Sequence, residues 1–360
     1  MNIAALVSGG VDSSVVVYRL KEMGYEPTIF YIQIGMEDET GYMGCTAEED
    51  IEIVSFIAKK YGLQMEVVSL QKEYWEQVVE YTIETVKKGL TPNPDIMCNK
   101  LIKFGSFNQK YGTEFDKIAT GHYANVSFEN DKYYLATAED KDKDQTYFLS
   151  RISYEQLSKS LFPIGDLPKS RVREIAHSQM LPSAARKDSQ GICFLGKINY
   201  SDFIKQHVGV QKGKIVEFET GKIIGQHNGV WFHTIGQRKG LGLSGGPWYV
   251  VAKDIPENIV YVSNGYDVAT QYGTVIPLED LHIISGGNAS MYDEEQRVAF
   301  KIRHTPEFTF GTIQRKGEIY IIQSDQKIQG VAPGQFGVLY DEKCEICVGS
   351  GVIAPYDLQK

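Results

Sequence analysis

The chain has 360 residues, 42% hydrophobic and 23% charged, with five cysteines and a formal net charge of −9. These figures fit a globular protein of two or three domains, and they exclude a disulfide scaffold and a protein held to nucleic acid by bulk charge. No apolar run approaches the ~20 residues of a membrane span, and Met1-Asn2-Ile3-Ala4 offers no basic leader segment, so the reading is a cytoplasmic protein without a membrane partner.

In chain order, residues 2–7 read as a buried strand that ends in Ser8-Gly9-Gly10. A helix follows from Ser13 to about Met23, stopped by Gly24. Residues 27–34 are β-rich. Thr46 to Glu49 form a capping box, which opens a helix with Ile51, Val54, Ala58 and Tyr61 on one face. A strand is expected at 63–70, a helix at 72–88, a proline-rich loop at 90–97, a helix at 99–111 and a strand at 116–120. Strands and helices alternating at this spacing predict a parallel sheet covered on both faces. Beyond about residue 200 glycines recur and helix patterns become rare. Segments 212–262 and 270–355 read as short antiparallel strands of small barrels. The fold class is therefore α/β, with a Rossmann-like parallel-sheet domain over 1–200 followed by two small β-rich, barrel-like domains, 201–268 and 269–360.

Three strings carry chemistry. Ser8-Gly9-Gly10-Val11-Asp12-Ser13-Ser14 joins a strand to a helix N-terminus. Glycine turns, serine hydroxyls and the helix dipole together describe a pyrophosphate cradle, and an acidic residue there suits Mg²⁺, so Asp12 is the candidate metal ligand. Thr91-Pro92-Asn93-Pro94-Asp95-Ile96-Met97-Cys98-Asn99 places a carboxylate three residues before a thiol. With a helix starting near Asn99, Cys98 would sit at a helix N-terminus, where a thiol pKa falls; a buried structural cysteine is the competing reading. In Arg186-Lys187-Asp188-Ser189-Gln190-Gly191-Ile192-Cys193-Phe194 a second cysteine follows a basic pair. Gly240 to Gly245 and the pair Cys344/Cys347 mimic nucleotide and metal motifs, but they lack the flanking elements and extra ligands those sites need. Cys45 reads as structural.

The first string resembles the PP-loop of ATP pyrophosphatases, and all three together resemble the tRNA-specific 2-thiouridylases. Gly121-His122-Tyr123-Ala124, Lys143-Asp144-Gln145 with the following Thr146 to Leu149, His233 to Gly240, Arg303-His304 and Pro333-Gly334-Gln335 extend that resemblance over nearly the whole chain. It implies ATP bound by Leu6, Val7, Ser8, Gly9, Gly10, Val11, Asp12 and Ser13, with Ile32 at the adenine and Gly121 at the nucleotide. It further implies that the C2 oxygen of a wobble uridine is adenylated, that Cys193 carries sulfur as a persulfide, and that Cys98 is its partner nucleophile, ending in a disulfide or releasing sulfide. Asp95 is implied as general acid/base. Asn93, Pro94 and Asp95 would border the flipped-out base, and His122, Lys143, Asp144, Gln145, Arg303, His304 and Gln335 would contact tRNA. A cysteine desulfurase or sulfur-relay protein would supply the sulfur.

Two other functions share parts of these strings. Another AMP-forming ligase of the PP-loop class would not need the Cys98/Cys193 pair. A tRNA-binding paralogue without catalysis would not need Asp12, Asp95 and both cysteines intact. The charge is uneven in a way that suits RNA: residues 1–90 hold 7 Lys+Arg against 15 Asp+Glu, whereas residues 91–200 hold 15 against 13.

Overall fold

The structure is a computed structural model that describes residues 1–34, 46–187, 200–264 and 272–355. The first strands are β1 (Ile3–Leu6), β2 (Thr28–Gln33), β3 (Met65–Ser69) and β4 (Lys117–Ala119), followed by a hairpin of β5 (Asn125–Glu129) and β6 (Lys132–Ala136), and by β7 (Ser160–Leu161). A parallel sheet runs in the order β3-β2-β1-β4-β7. Chain direction across the sheet reverses between β1 and β4, the crevice where doubly wound folds bind ligands.

Period-two alternation divides β1 between two cores. Ile3, Ala5 and Val7 join Val15, Val16 and Leu20 of the helix Val11–Glu22 on one face. Ala4 and Leu6 join Phe30, Ile102 and Phe107 on the other. Of the face predicted for the helix Thr46–Tyr61, Val54 and Ala58 are buried, and Ile51 and Tyr61 pack against the same core. The helix expected at 72–88 runs continuously over 71–87, with wide π-type turns at Trp75–Val79.

The helix expected from about Asn99 begins one turn earlier, at Pro94. Asn93 caps it, its side-chain oxygen accepting from the Ile96 amide, and proline occupies the first helical position. Cys98 therefore lies in the second turn, at the start of wide π-type turns over Cys98–Ser106, and not at the helix N-terminus.

The next strands are β8 (Gly213–Glu217), β9 (Ile223–His227), β10 (Trp248–Asp254) and β11 (Ile259–Asn264), ordered β10-β11-β8-β9. The all-antiparallel expectation fails at one step, because β11 pairs with β8 in parallel. The last strands are β12 (Tyr272–Ile283), β13 (Gln296–Lys301), β14 (Thr309–Lys316), β15 (Ile319–Gln329), β16 (Phe336–Tyr340) and β17 (Ile346–Ile353). Their order, β12-β15-β14-β13-β16-β17 with β17 returning to β12, closes a six-stranded barrel. The hairpin β5–β6 extends its sheet by pairing with β17. A piece of the first 200 residues is thus built into the C-terminal barrel.

Candidate active site

The cradle follows β1 directly. Gly9 has φ +77°, and a Cβ there would stand 3.0 Å from the Asp50 Cα. The Ser13 hydroxyl holds the turn: it accepts from the Ser8 amide at 3.1 Å and donates to the Gly10 carbonyl at 3.1 Å. The Ser14 hydroxyl donates to the same carbonyl at 2.7 Å. Val11 and Asp12 form the first turn of the helix, where amides face outward and the dipole favours an anion. Gly121, after β4, closes the crevice: a Cβ there would meet the Ser13 amide nitrogen at 2.8 Å. Ile32, near the end of β2, is half-buried and packs on the first core. The predicted cradle residues and Gly121 thus share one crevice at the sheet's switch point.

Asp12 has partners that sequence reasoning missed. Lys169 donates to its two carboxylate oxygens at 2.7 and 2.8 Å, and the Tyr123 hydroxyl donates to one of them at 2.8 Å. Lys169 opens the helix Lys169–Ser178. A cation in a first turn opposes the helix dipole, and that mismatch is the signal from which it could have been found. Arg186 forms a further tie, bonding to Asp50 and Glu49 and reaching the Gly9 carbonyl at 3.4 Å.

The second string forms a rigid shelf. Asn93 is buried; its backbone N–H donates to the Tyr81 hydroxyl at 3.3 Å, and its side chain donates to the Gln335 Oε1 at 3.2 Å. Gln335 in turn donates to the Pro92 carbonyl at 2.7 Å, and the Thr91 amide donates to the Pro333 carbonyl at 2.8 Å. Gln335, expected at the RNA, thus fastens the shelf to the barrel. The Asp95 Oδ1 is buried without a hydrogen-bond partner among the described residues. An orphaned carboxylate oxygen costs stability, which fits a group held ready for a substrate. Cys98 is buried in the first core, the cluster that also holds Leu6 and Ile102. Cys193 lies outside the described residues, as do Cys45 and the string Asp188 to Phe194.

Of the residues expected on the tRNA path, Arg303 and His304 are exposed and Lys143 is half-exposed. The His304 Nε2 meets the Asp144 carbonyl oxygen at 2.8 Å. The Asp144 side chain departs from a direct contact role: it is 2% exposed, and it accepts from the Ala138 amide at 2.9 Å and the Thr146 hydroxyl at 2.6 Å. Gln145 accepts from the Tyr123 amide at 3.0 Å. His122 is enclosed against Phe104 and Phe162, with its Nδ1 2.7 Å from the Thr120 hydroxyl. Burial, with the Lys103 charge adding to it, holds its pKa well below the ordinary histidine value. Among the described residues no cluster of three or more His, Cys, Asp or Glu could hold a metal. Asp12 would thus be a lone protein ligand, a set that suits Mg²⁺ only when phosphates complete it.

A switch-point crevice with a phosphate cradle, joined to a small four-stranded sheet and a closed six-stranded barrel, defines a nucleotide-binding α/β enzyme class. Family models described as tRNA methyl transferase HUP domain, tRNA methyl transferase PRC-barrel domain and aminomethyltransferase beta-barrel domain match residues 1–197, 201–264 and 275–353. Proteins named tRNA-specific 2-thiouridylase MnmA match almost end to end. That of Parabacteroides distasonis is 64% identical over 353 residues, 98% of this chain and 99% of its own length. That of Porphyromonas gingivalis is 61% identical over 357 residues, and MnmA 1 of Bacteroides thetaiotaomicron 61% over 354, each covering 98% of this chain and 99% of its own. The chain belongs to the tRNA-specific 2-thiouridylase family.

Proposed function

We propose that this chain is a sulfurtransferase that uses ATP to replace the C2 oxygen of a tRNA wobble uridine with sulfur. The observation that carries the proposal is the pairing of a phosphate cradle, held by Ser13 and closed by Gly121, with a shelf whose Asp95, its Oδ1 unpaired among the described residues, precedes Cys98 by one helical turn. The domain descriptions speak of methyl transfer, whereas the full-length relatives are named for thiolation. The cradle favours thiolation, because moving a methyl group needs no pyrophosphate site.

The residues divide the work as follows. Leu6 to Ser13, Ile32 and Gly121 hold ATP. Mg²⁺, arriving with the phosphates on Asp12, would neutralise charge on the departing pyrophosphate. Asn93 and Pro94 border the flipped base, and Asp95 moves the proton at its ring amide. The uracil C2 oxygen attacks the α-phosphate and pyrophosphate leaves. The Cys98 thiolate then attacks the inner sulfur of the Cys193 persulfide. A disulfide forms between the two cysteines, and hydrosulfide is released, which displaces AMP at C2. A thiol reductant resets the pair, and a cysteine desulfurase or sulfur-relay protein reloads Cys193. Lys143, Arg303 and His304 offer the exposed tRNA contacts. His122, Asp144 and Gln145 shape that surface from within, and Gln335 does so through the shelf. No helix among the described residues is long and apolar enough to cross a membrane.

Cys193→Ser tests the scheme. Pyrophosphate release in the presence of tRNA should persist, while 2-thiouridine, measured by mass spectrometry of digested tRNA, should vanish. Thiolation by this variant from a physiological donor would overturn the sulfur route.

A further inference from the structure

The shelf has a second face. Pro92 and Pro94, together with Tyr200, Trp231, Phe232 and His233, line a cleft of about 220 Å³ between the parallel-sheet domain and the small barrel. We infer that this cleft is a nucleobase site that takes the tRNA base next in the strand to the target uridine, stacked on the aromatic rings and hydrogen-bonded by His233. The inference rests on the tRNA reading above.

Four observations support it. The cleft is smaller than the ~300–1,000 Å³ of pockets that enclose a whole drug-sized ligand, so it suits a single ring system. Its aromatic wall is fixed: the Trp231 indole donates to the Gly209 carbonyl at 3.2 Å. A Cβ at Gly229 (φ +149°) would strike that ring at 2.5 Å, so a glycine is required for the indole to lie where it does. His233 is 7% exposed, and its Nδ1 has no hydrogen-bond partner among the described residues. The Nε2 of His227, whose ring lies 5.2 Å from that of His233, is unpaired among the described residues as well; such unpaired buried atoms call for an explanation, and a base edge at the His233 wall of the cleft supplies one. Burial, with His227 and Lys253 adding to it, pulls the His233 pKa down to about 4, so the ring is neutral and offers one donor and one acceptor, as a base edge requires.

Position completes the argument. Pro92 and Pro94 flank Asn93, so the cleft opens on the same five-residue shelf that carries Asp95. A uridine flipped onto that shelf leaves its neighbour unstacked, and single-stranded bases find replacement stacking on aromatic side chains. A base seated here would compensate for the stack lost on flipping and set the register of the loop.

The test is a double-mutant cycle between protein and RNA. Full-length tRNA is prepared with an abasic nucleotide immediately 5′ or 3′ of the target uridine, and dissociation constants are measured for the wild type and Phe232→Leu, which keeps apolar volume but removes the ring. One abasic position should weaken wild-type binding roughly 5- to 100-fold and weaken the variant's binding much less, with ATP KM unchanged throughout. His233→Leu should give a smaller loss, again absent with that abasic RNA. Additive losses at both positions overturn the inference. So does a Phe232→Leu variant with normal tRNA affinity but impaired sulfur delivery from a protein donor, which would make the cleft a protein-docking site. Failure of the wild type to thiolate any tRNA would instead remove the function on which the inference rests.

Discussion

At Asp12 one carboxylate has two alternative duties. Without ATP it receives the Lys169 ammonium, whose side chain is 12% exposed, and the Tyr123 hydroxyl. Placing a lysine at a helix start is unfavourable unless anions meet it there. Asp12 meets it in the empty cradle, and phosphate oxygens would take that place when ATP binds. Lys169→Met should therefore lower tRNA-dependent pyrophosphate release by about two to three orders of magnitude, the usual cost of losing one transition-state donor. The dissociation constant for tRNA should barely move. Pyrophosphate release within a factor of two of wild type would show that Lys169 serves only the fold. The string around Asp12 announced a cradle because strand, glycines and helix are contiguous there. The lysine at a helix start signals that an anion must meet Lys169, but 157 residues separate it from Asp12 and no local pattern names Asp12 as that anion.

At the scale of elements, local signals served best. The helix Val11–Glu22, the helix Thr46–Tyr61 and the strand at 65–69 follow from apolar period and stops. The Cys98 helix starts at Pro94 and not near Asn99: Asn93-Pro94 is a legible cap and first turn, but prolines also mark loops. The parallel pairing of β11 with β8 was illegible, since partner choice is tertiary. The small barrel meets the first domain at the end of the helix Glu80–Lys87. There Lys253 of β10 donates to the Gly89 carbonyl, and to the His233 carbonyl at 2.9 Å. Burial lowers its pKa from 10.5 to about 8. Below pH 8 the ammonium is charged in both the folded and the unfolded state. Between pH 8 and 10 the unfolded chain binds more protons, so this residue makes stability rise with pH, by at most about 3 kcal/mol. Denaturant unfolding of the wild type and Lys253→Met across that range should show the rise in the wild type alone. Parallel pH profiles for the two proteins would contradict a buried charge at this seam.

Over the whole molecule, sequence texture separates a first domain ending near residue 200 from a last barrel, yet the fold ties the two together. The first core holds Ala124, Leu135 and Tyr147 together with Ile284, Phe336, Val338 and Tyr340 of the barrel region. The β5–β6 hairpin completes the barrel's sheet. Arg151, 6% exposed, donates to the Asp280 carbonyl at 2.7 Å, the Ser350 carbonyl at 3.1 Å and the Asp280 carboxylate at 2.5 Å. Such pairings lie between strands distant in the chain, where neither period nor composition reports them. A chain ended after residue 268 would lose every acceptor that Arg151 uses in the barrel, and the first core would lose Ile284, Ala299, Phe336, Val338, Tyr340 and Cys347. Uncovering large apolar side chains costs about 1.5–3 kcal/mol each, so losing this cover takes up a large part of the ~5–15 kcal/mol that holds a domain folded. The same cut removes Pro333 and Gln335, which hold the Thr91–Asn93 backbone in place. The shortened chain should therefore aggregate or melt well below the full protein, and the full protein should show one calorimetric transition spanning the parallel-sheet domain and the last barrel. A soluble 1–268 chain that melts with the full protein and still binds ATP would show instead that the barrel is an independent appendage. The shelf would then take its shape from its own prolines and the Asn93 cap, without help from Gln335.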